Sequence, residues 1–170
     1  LDDYSVYCWG RNQLGQLGDG STTDSTTPVQ ASLPSGTSAL ALSLKYWTPC
    51  VLLDDGNAYC WGYGAENQFG DGDGTVNSAT PVQVQIPSSE NILSIAIGYY
   101  HGCAIVEGSG SNQDSRIYCW GRNGEGQVGD GSTTHRATPV EISHSSQYNW
   151  ASIAVGSYQS CAISLTNLVY

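Results

Sequence analysis

Tyr7-Cys8-Trp9-Gly10-Arg11-Asn12, followed by Gly15-Gln16-Leu17-Gly18-Asp19-Gly20 and closed by Thr27-Pro28-Val29, decides the fold because it occurs three times. The second copy runs from Tyr59-Cys60-Trp61-Gly62 through Asn67-Gln68-Phe69-Gly70-Asp71-Gly72 to Thr80-Pro81-Val82. The third runs from Tyr118-Cys119-Trp120-Gly121 through Gly126-Gln127-Val128-Gly129-Asp130-Gly131 to Thr138-Pro139-Val140. Tyr59 follows Tyr7 by 52 residues and Tyr118 follows Tyr59 by 59, the spacing of a four-stranded propeller blade or a similar stacked unit. We read residues 1-170 as one repeat domain, with units over 1-58, 59-117 and 118-170.

With 21 Gly, 11 Tyr and 5 Trp and no Met, the composition suits a turn-rich all-β protein rather than one with long helices. The formal net charge is −10, and only Arg11, Lys45, Arg116, Arg122 and Arg136 are positive. Such a field repels phosphate backbones and anionic lipid, which argues against a nucleic acid partner. No run approaches 18 apolar residues, so membrane insertion by a helix is not expected. The chain opens on Leu1 and carries no apolar targeting segment, which reads as a processed chain or an excised segment. No Asn begins an Asn-x-Ser/Thr triplet, while Ser21 to Thr27 offers many hydroxyls to other sugars.

Tyr4 to Trp9 reads as a strand, and Gly10 to Gly20 as a long looped turn. Pro28 suits an edge or the start of a strand because it cannot donate to a ladder. Ala39 to Leu44 supplies the next strand, with Ile92 to Ile97 and Ala151 to Val155 as counterparts. Gly98 and Gly156 follow the later two, whereas Lys45 follows the first, a departure expected to loosen that turn. Cys50 to Leu53, the turn Asp54-Asp55-Gly56, and Asn57 to Cys60 read as a hairpin with Gly56 at its left-handed position.

Six cysteines at matching points of the repeats favour disulfides and an extracellular setting. Pairing residues whose numbers sum to 110 sets Leu53 opposite Asn57 and Cys50 opposite Cys60, close enough for a cross-strand disulfide if that pair is not hydrogen-bonded, and the hairpin from Cys103 to Cys119 is expected to pair its cysteines in the same way. A second scheme, Cys8 with Cys50, Cys60 with Cys103 and Cys119 with Cys161, also satisfies all six. Under the hairpin scheme Cys8 belongs to a hairpin whose first strand is missing, and Cys161 to one whose second strand is missing. Joined end to end, these two cysteines stand 17 positions apart, against 16 from Cys103 to Cys119, so the ends are complementary.

The repeat resembles the regulator-of-chromosome-condensation family across nearly the whole chain, through its Cys-Trp-Gly-x-Asn, Gly-Gln-Leu-Gly-Asp-Gly and Pro-Val elements. The resemblance implies four-stranded blades around an axis, in a closed ring that usually has seven; here three are expected, with one hairpin split across the chain ends. Family members include nucleotide-exchange factors, chromatin-associated proteins and secreted inhibitors, and none of these activities follows from residues that build the blade. The family tends to carry a His before the small residue and Ala-Leu strand. His101 matches, and Thr48 and Gln159 stand in the equivalent places.

Trp9, Trp61 and Trp120 recur at one point of every unit, which assigns them to packing between blades rather than to a ligand stripe. Asp71-Gly72-Asp73-Gly74-Thr75 lacks the acidic run and distal Glu of a calcium loop and reads as a turn. Asp19, Asp71 and Asp130 each precede glycine, as turn-forming carboxylates do. His101, His135 and His144 have no zinc-like spacing, so neither a metal nor a cofactor is expected. No nucleophile elbow is present, and an enzyme is not expected. Glu107 to Arg116 and Glu141 to Asn149 differ between units and are the expected contact loops of a scaffold.

Two functions fit. One is a non-enzymatic extracellular structural protein that assembles head-to-tail with itself into a filament or ring by completing a split blade, sealed by Cys161 bonding Cys8 of the neighbour. The other is a module of a complete propeller that binds an extracellular protein or glycan on its loops.

Overall fold

The computed structural model describes residues 4–87, 90–108, 115–142 and 149–165. Its twelve strands make two four-stranded antiparallel meanders flanked by two half-sheets. The first meander is β3 (Ala39–Lys45), β4 (Thr48–Leu53), β5 (Ala58–Tyr63) and β6 (Asn77–Gln83). The second is β7 (Ile92–Ile97), β8 (His101–Glu107), β9 (Ser115–Gly121) and β10 (Arg136–Glu141). Before them stands β1 (Tyr7–Gly10) paired with β2 (Ser25–Gln30), and after them β11 (Asn149–Val155) paired with β12 (Ser160–Leu165). Of the three expected blades, two are therefore whole and the third exists as two halves. The quoted repeat begins on the third strand of each sheet, β5 or β9, and β1 is its counterpart.

Local chemistry sets each boundary. Pro28, Pro81 and Pro139 all fall on the last strand of their sheet, where a missing N–H breaks no ladder. In the Cys50–Cys60 hairpin the Leu53 amide donates to the Asn57 carbonyl at 2.9 Å, and Gly56 closes the turn at φ +80°. Alternation from that bonded pair makes Cys50 and Cys60 a non-hydrogen-bonded pair, the closer kind, with Cα atoms 4.1 Å apart and the sulfurs joined. Cys103 and Cys119 repeat the arrangement at 4.1 Å. The scheme linking Cys8 to Cys50 is thereby excluded, and Cys8 and Cys161 are free thiols. Lys45 does not loosen its turn: it pairs with Thr48, and Tyr46 takes the left-handed conformation at φ +59°. Of the two expected contact loops, residues 109–114 and 143–148 lie outside the described residues.

The core lies between sheets rather than within them. Ile95, Ile97 and Trp120 pack with Leu52, Phe69 and Val84 between the two meanders. Val51, Leu53 and Trp61 pack on Val6 and Ala31, which immediately flank β1 and β2 of the first half-sheet. Ile105, Ile117 and Val128 pack on Ile153 of the last. Each sheet is thus stabilised mainly by its neighbours, as in stacked repeats. Trp120 is fully buried at one of these joints, so Trp120→Ala is expected to cost about 3–5 kcal/mol. Equilibrium denaturation against wild type measures that loss.

Candidate functional site

Trp61 and Trp120 are each held by the loop of the preceding unit. The indole Nε1 of Trp61 donates to the Gln16 carbonyl at 2.9 Å, and that of Trp120 to the Gln68 carbonyl at 2.7 Å. The rings lie directly on Gly18 and Gly70, where a Cβ would come within 2.8 and 2.9 Å of them. The loops are organised from inside. Asn12 gives its side-chain amide to the carbonyls of Ser21 and Thr23 at 3.1 Å each and accepts from the Leu17 amide at 2.9 Å. Asn123 does the same with Ser132, Thr134 and Val128. In the middle unit Gly64 takes that place, and the Phe69 ring and Thr75 carbonyl occupy the space a side chain would need.

The turn carboxylates belong to these loops. Hydrogen bonds from Ser21, the backbone amide first, hold the Asp19 carboxyl below its ordinary pKa. Asp130 is also lowered: desolvation opposes ionisation there, but bonds from Ser132 and Arg136 outweigh it. Asp73 donates its amide to Asp71 within the turn at 71–75, and the described residues hold no cluster of three or more candidate metal ligands.

His101 is buried, with Nε2 2.8 Å from the Ser160 hydroxyl. That hydroxyl donates to the Gln127 carbonyl at 2.9 Å, so Nε2 carries the proton and donates to Ser160. An imidazole in this tautomer and contact does not activate the serine as a base would. Thr48, at the equivalent place, donates instead to the Tyr63 carbonyl at 2.6 Å. Gln159 accepts from the Tyr158 amide at 3.2 Å.

The two half-sheets differ sharply from their counterparts inside the chain. Trp9, expected in the core, is 64% exposed because no preceding loop covers it among the described residues, while Trp61 and Trp120 are fully buried. The first whole meander shows the same contrast on its β3 strand: Leu44 is 68% exposed, and its counterpart Ile97 on β7 is 4% exposed against the neighbouring meander. Ile163 on β12 is 64% exposed, and its counterpart Ile105 is 2%. Cys161 is exposed and Cys8 half-buried, where Cys103 and Cys119 are fully enclosed. Burial, with the Asp19 charge second, raises the Cys8 thiol above its ordinary pKa. A groove of about 350 Å³ runs along β12 between the loop at Gln127–Gly129 and Ser160–Ala162. Among the described residues no strand pairs with the second edge of β1 or of β12.

The regulator of chromosome condensation repeat matches residues 3–43, 55–105 and 114–163. The chain belongs to this family. It is 30% identical over 132 residues to the human E3 ubiquitin-protein ligase HERC2, covering 78% of this chain and 3% of that one. It is 27% identical over 165 residues to the ultraviolet-B receptor UVR8 of Arabidopsis thaliana, covering 97% of this chain and 36% of the receptor. Among solved structures, human WBSCR16 matches with a TM-score of 0.79 at 19% identity, over 97% of this chain and 41% of that one. Prp20p from Saccharomyces cerevisiae, described with its binding to Gsp1p and histones, matches with a TM-score of 0.75 at 22% identity over 96% and 40%. These structures show the propeller fold, and this chain spans less than half the length of each.

A second surface was not anticipated from sequence. Tyr46, Trp47, Tyr99, Tyr100 and Tyr158, in the turns between the first two strands of each blade, form a continuous run of ring contacts with centroids 3.9 to 5.8 Å apart. Arg11 lies over Trp47 at 5.7 Å, and Arg122 over Tyr100 at 5.2 Å and Tyr158 at 5.8 Å. The residues are far apart in sequence, so only the stacking of blades brings them together.

His101 gives the site a pH signature. Desolvation lowers its pKa from 6.5 to about 4. Above pH 6.5 both folded and unfolded states are neutral there. As the pH falls toward 4 the unfolded state alone gains the proton, so stability is lost across that window. Denaturant midpoints from pH 7.5 to 5 are expected to fall more steeply for wild type than for His101→Gln.

Proposed function

We propose that this chain is a non-enzymatic, extracellular propeller segment whose main activity is to bind protein, beginning with its own kind. The β12 edge of one copy accepts the β1 edge of the next, completing a four-stranded blade between them. The observation that carries this reading is the paired contrast in exposure: the surfaces open at the two half-sheets are those that the repeat's own counterparts cover inside the chain. The register of the whole hairpins, applied to the join, sets Cys161 opposite Cys8 and Ala162 opposite Tyr7, as Ala104 lies opposite Tyr118. Two copies supply six blades, within the four to eight that propellers use, and a rotation that did not close would give a filament instead. In an oxidising compartment the join is sealed when the two thiols lose two protons and two electrons to a disulfide-bearing oxidant and form one S–S bond. The family's lack of a fixed chemistry and the donor role of His101 both support a non-enzymatic reading.

A second reading, a binding module within a complete single-chain propeller, is favoured by one observation. The aromatic rim, with its Tyr, Trp and Arg, has the composition of protein-binding hot spots. In that case like half-blades still close the edges, but from further repeats of the same chain.

Intact mass under non-reducing and reducing conditions, with disulfide mapping, separates the two. Head-to-tail assembly predicts multiples of 18.0 kDa that collapse on reduction, and a peptide linking Cys8 to Cys161 of different copies. An unchanged monomer mass under both conditions would contradict the sealed assembly.

A further inference from the structure

The groove along β12 has a more specific use, and it rests on the self-assembly reading. We infer that this groove is an indole socket and that its ligand is Trp9 of a second copy. Two filled versions of the socket exist in the same molecule. In each, a Gln carbonyl accepts the indole N–H, at 2.9 Å for Gln16 and 2.7 Å for Gln68, and a glycine two residues later lies flat against the ring. Gln127 and Gly129 hold those two positions in the third loop.

There the ring is absent. A Cβ on Gly129 would meet nothing closer than Ile142 at 3.7 Å. Gly126 shows the same contrast: its counterpart Gly15 is pressed against the Ala79 backbone, where a Cβ would stand 2.4 Å away, while Gly126 has open space around it. The groove of about 350 Å³ lies over Val128, Gly129, Ile142, Ser160 and Cys161. The Gln127 carbonyl already accepts from Ser160 at 2.9 Å, but a carbonyl oxygen has two lone pairs and can take the indole as well. The Gln127 side-chain Nε2 is buried without a partner, whereas that of Gln68, beneath a filled socket, donates to the Tyr99 carbonyl at 3.3 Å.

Trp9 is the matching ligand. It is 64% exposed on the β1 edge, and the register that sets Cys8 opposite Cys161 places it opposite Ser160, as Trp120 lies opposite Gly102. The chemistry the socket selects is a flat bicyclic ring with one N–H donor, so Phe on the incoming strand would fill it without donating to the second lone pair of the Gln127 carbonyl. The socket therefore chooses which edge can join, and the disulfide only locks the choice.

The test uses the full chain with reductant present, so that no covalent link masks the contact. Sedimentation velocity is run on wild type, Trp9→Ala, Trp9→Phe and Ala162→Phe, the last of which narrows the groove. Wild type is expected to associate, Trp9→Ala and Ala162→Phe each to associate at least tenfold more weakly, and Trp9→Phe to fall between. An equal mixture of Trp9→Ala and Ala162→Phe restores one good joint and is expected to give dimers. In parallel, N-acetyl-L-tryptophanamide is titrated into each protein and followed at the Val128 and Gly129 amides by NMR. Saturable shifts in wild type that vanish in Ala162→Phe are expected. Association of Trp9→Ala as tight as wild type would overturn the socket while leaving self-assembly standing. A wild-type monomer that still binds the tryptophan amide would overturn self-assembly and leave the socket, and a monomer that binds nothing would overturn both.

Discussion

The structure depends on one contact made across, not within, its sheets: a tryptophan on the third strand of each whole blade set into the loop of the unit before it. The indole supplies a large apolar face to the inter-sheet core and spends its single N–H on a backbone carbonyl, so the buried ring leaves no donor of its own unpaired. The glycine beneath the ring allows that approach, and the loop is held in shape by a network that does not involve the ring. Order therefore passes from loop to tryptophan to the next sheet. A chain built this way has a direction: it offers a tryptophan at its first edge and a loop with room for one at its last.

Much of this was legible from the repeat. The hairpin register at Cys50 and Cys60 follows from counting, because strand alternation and a short glycine turn set the two cysteines opposite each other; the structure then decides between that pairing and the rival scheme. The placement of Pro28, Pro81 and Pro139 on outer strands follows from a missing donor. The split of one blade into halves was also readable, from cysteines at both ends lacking a hairpin mate.

What sequence could not supply is the set of relations between units. The repeat marks Trp9 as equivalent to Trp61 and Trp120, yet its environment differs because burial depends on a preceding loop, and none covers Trp9 among the described residues. Gln16, Gln68 and Gln127 recur visibly, but the group that matters is the backbone carbonyl, which no side-chain pattern reveals. Asn12 and Asn123 organise their loops, and the signal that could have exposed them was the loss of Asn at Gly64 together with the enlargement of Leu17 and Val128 to Phe69. The aromatic rim escaped for the same reason, since its rings meet only once the turns at Tyr46, Tyr99 and Tyr158 are stacked side by side.

The central claim is that the two open edges are made for each other, and amide hydrogen exchange tests it most directly. Exchange at residues 7–9 on β1 and 160–163 on β12 should be compared at low and high protein concentration under reducing conditions. The account predicts that both edges gain protection together as concentration rises, while β4 and β8, already paired on both sides, stay unchanged. Equal exchange at the two concentrations, or protection at one edge without the other, would contradict it.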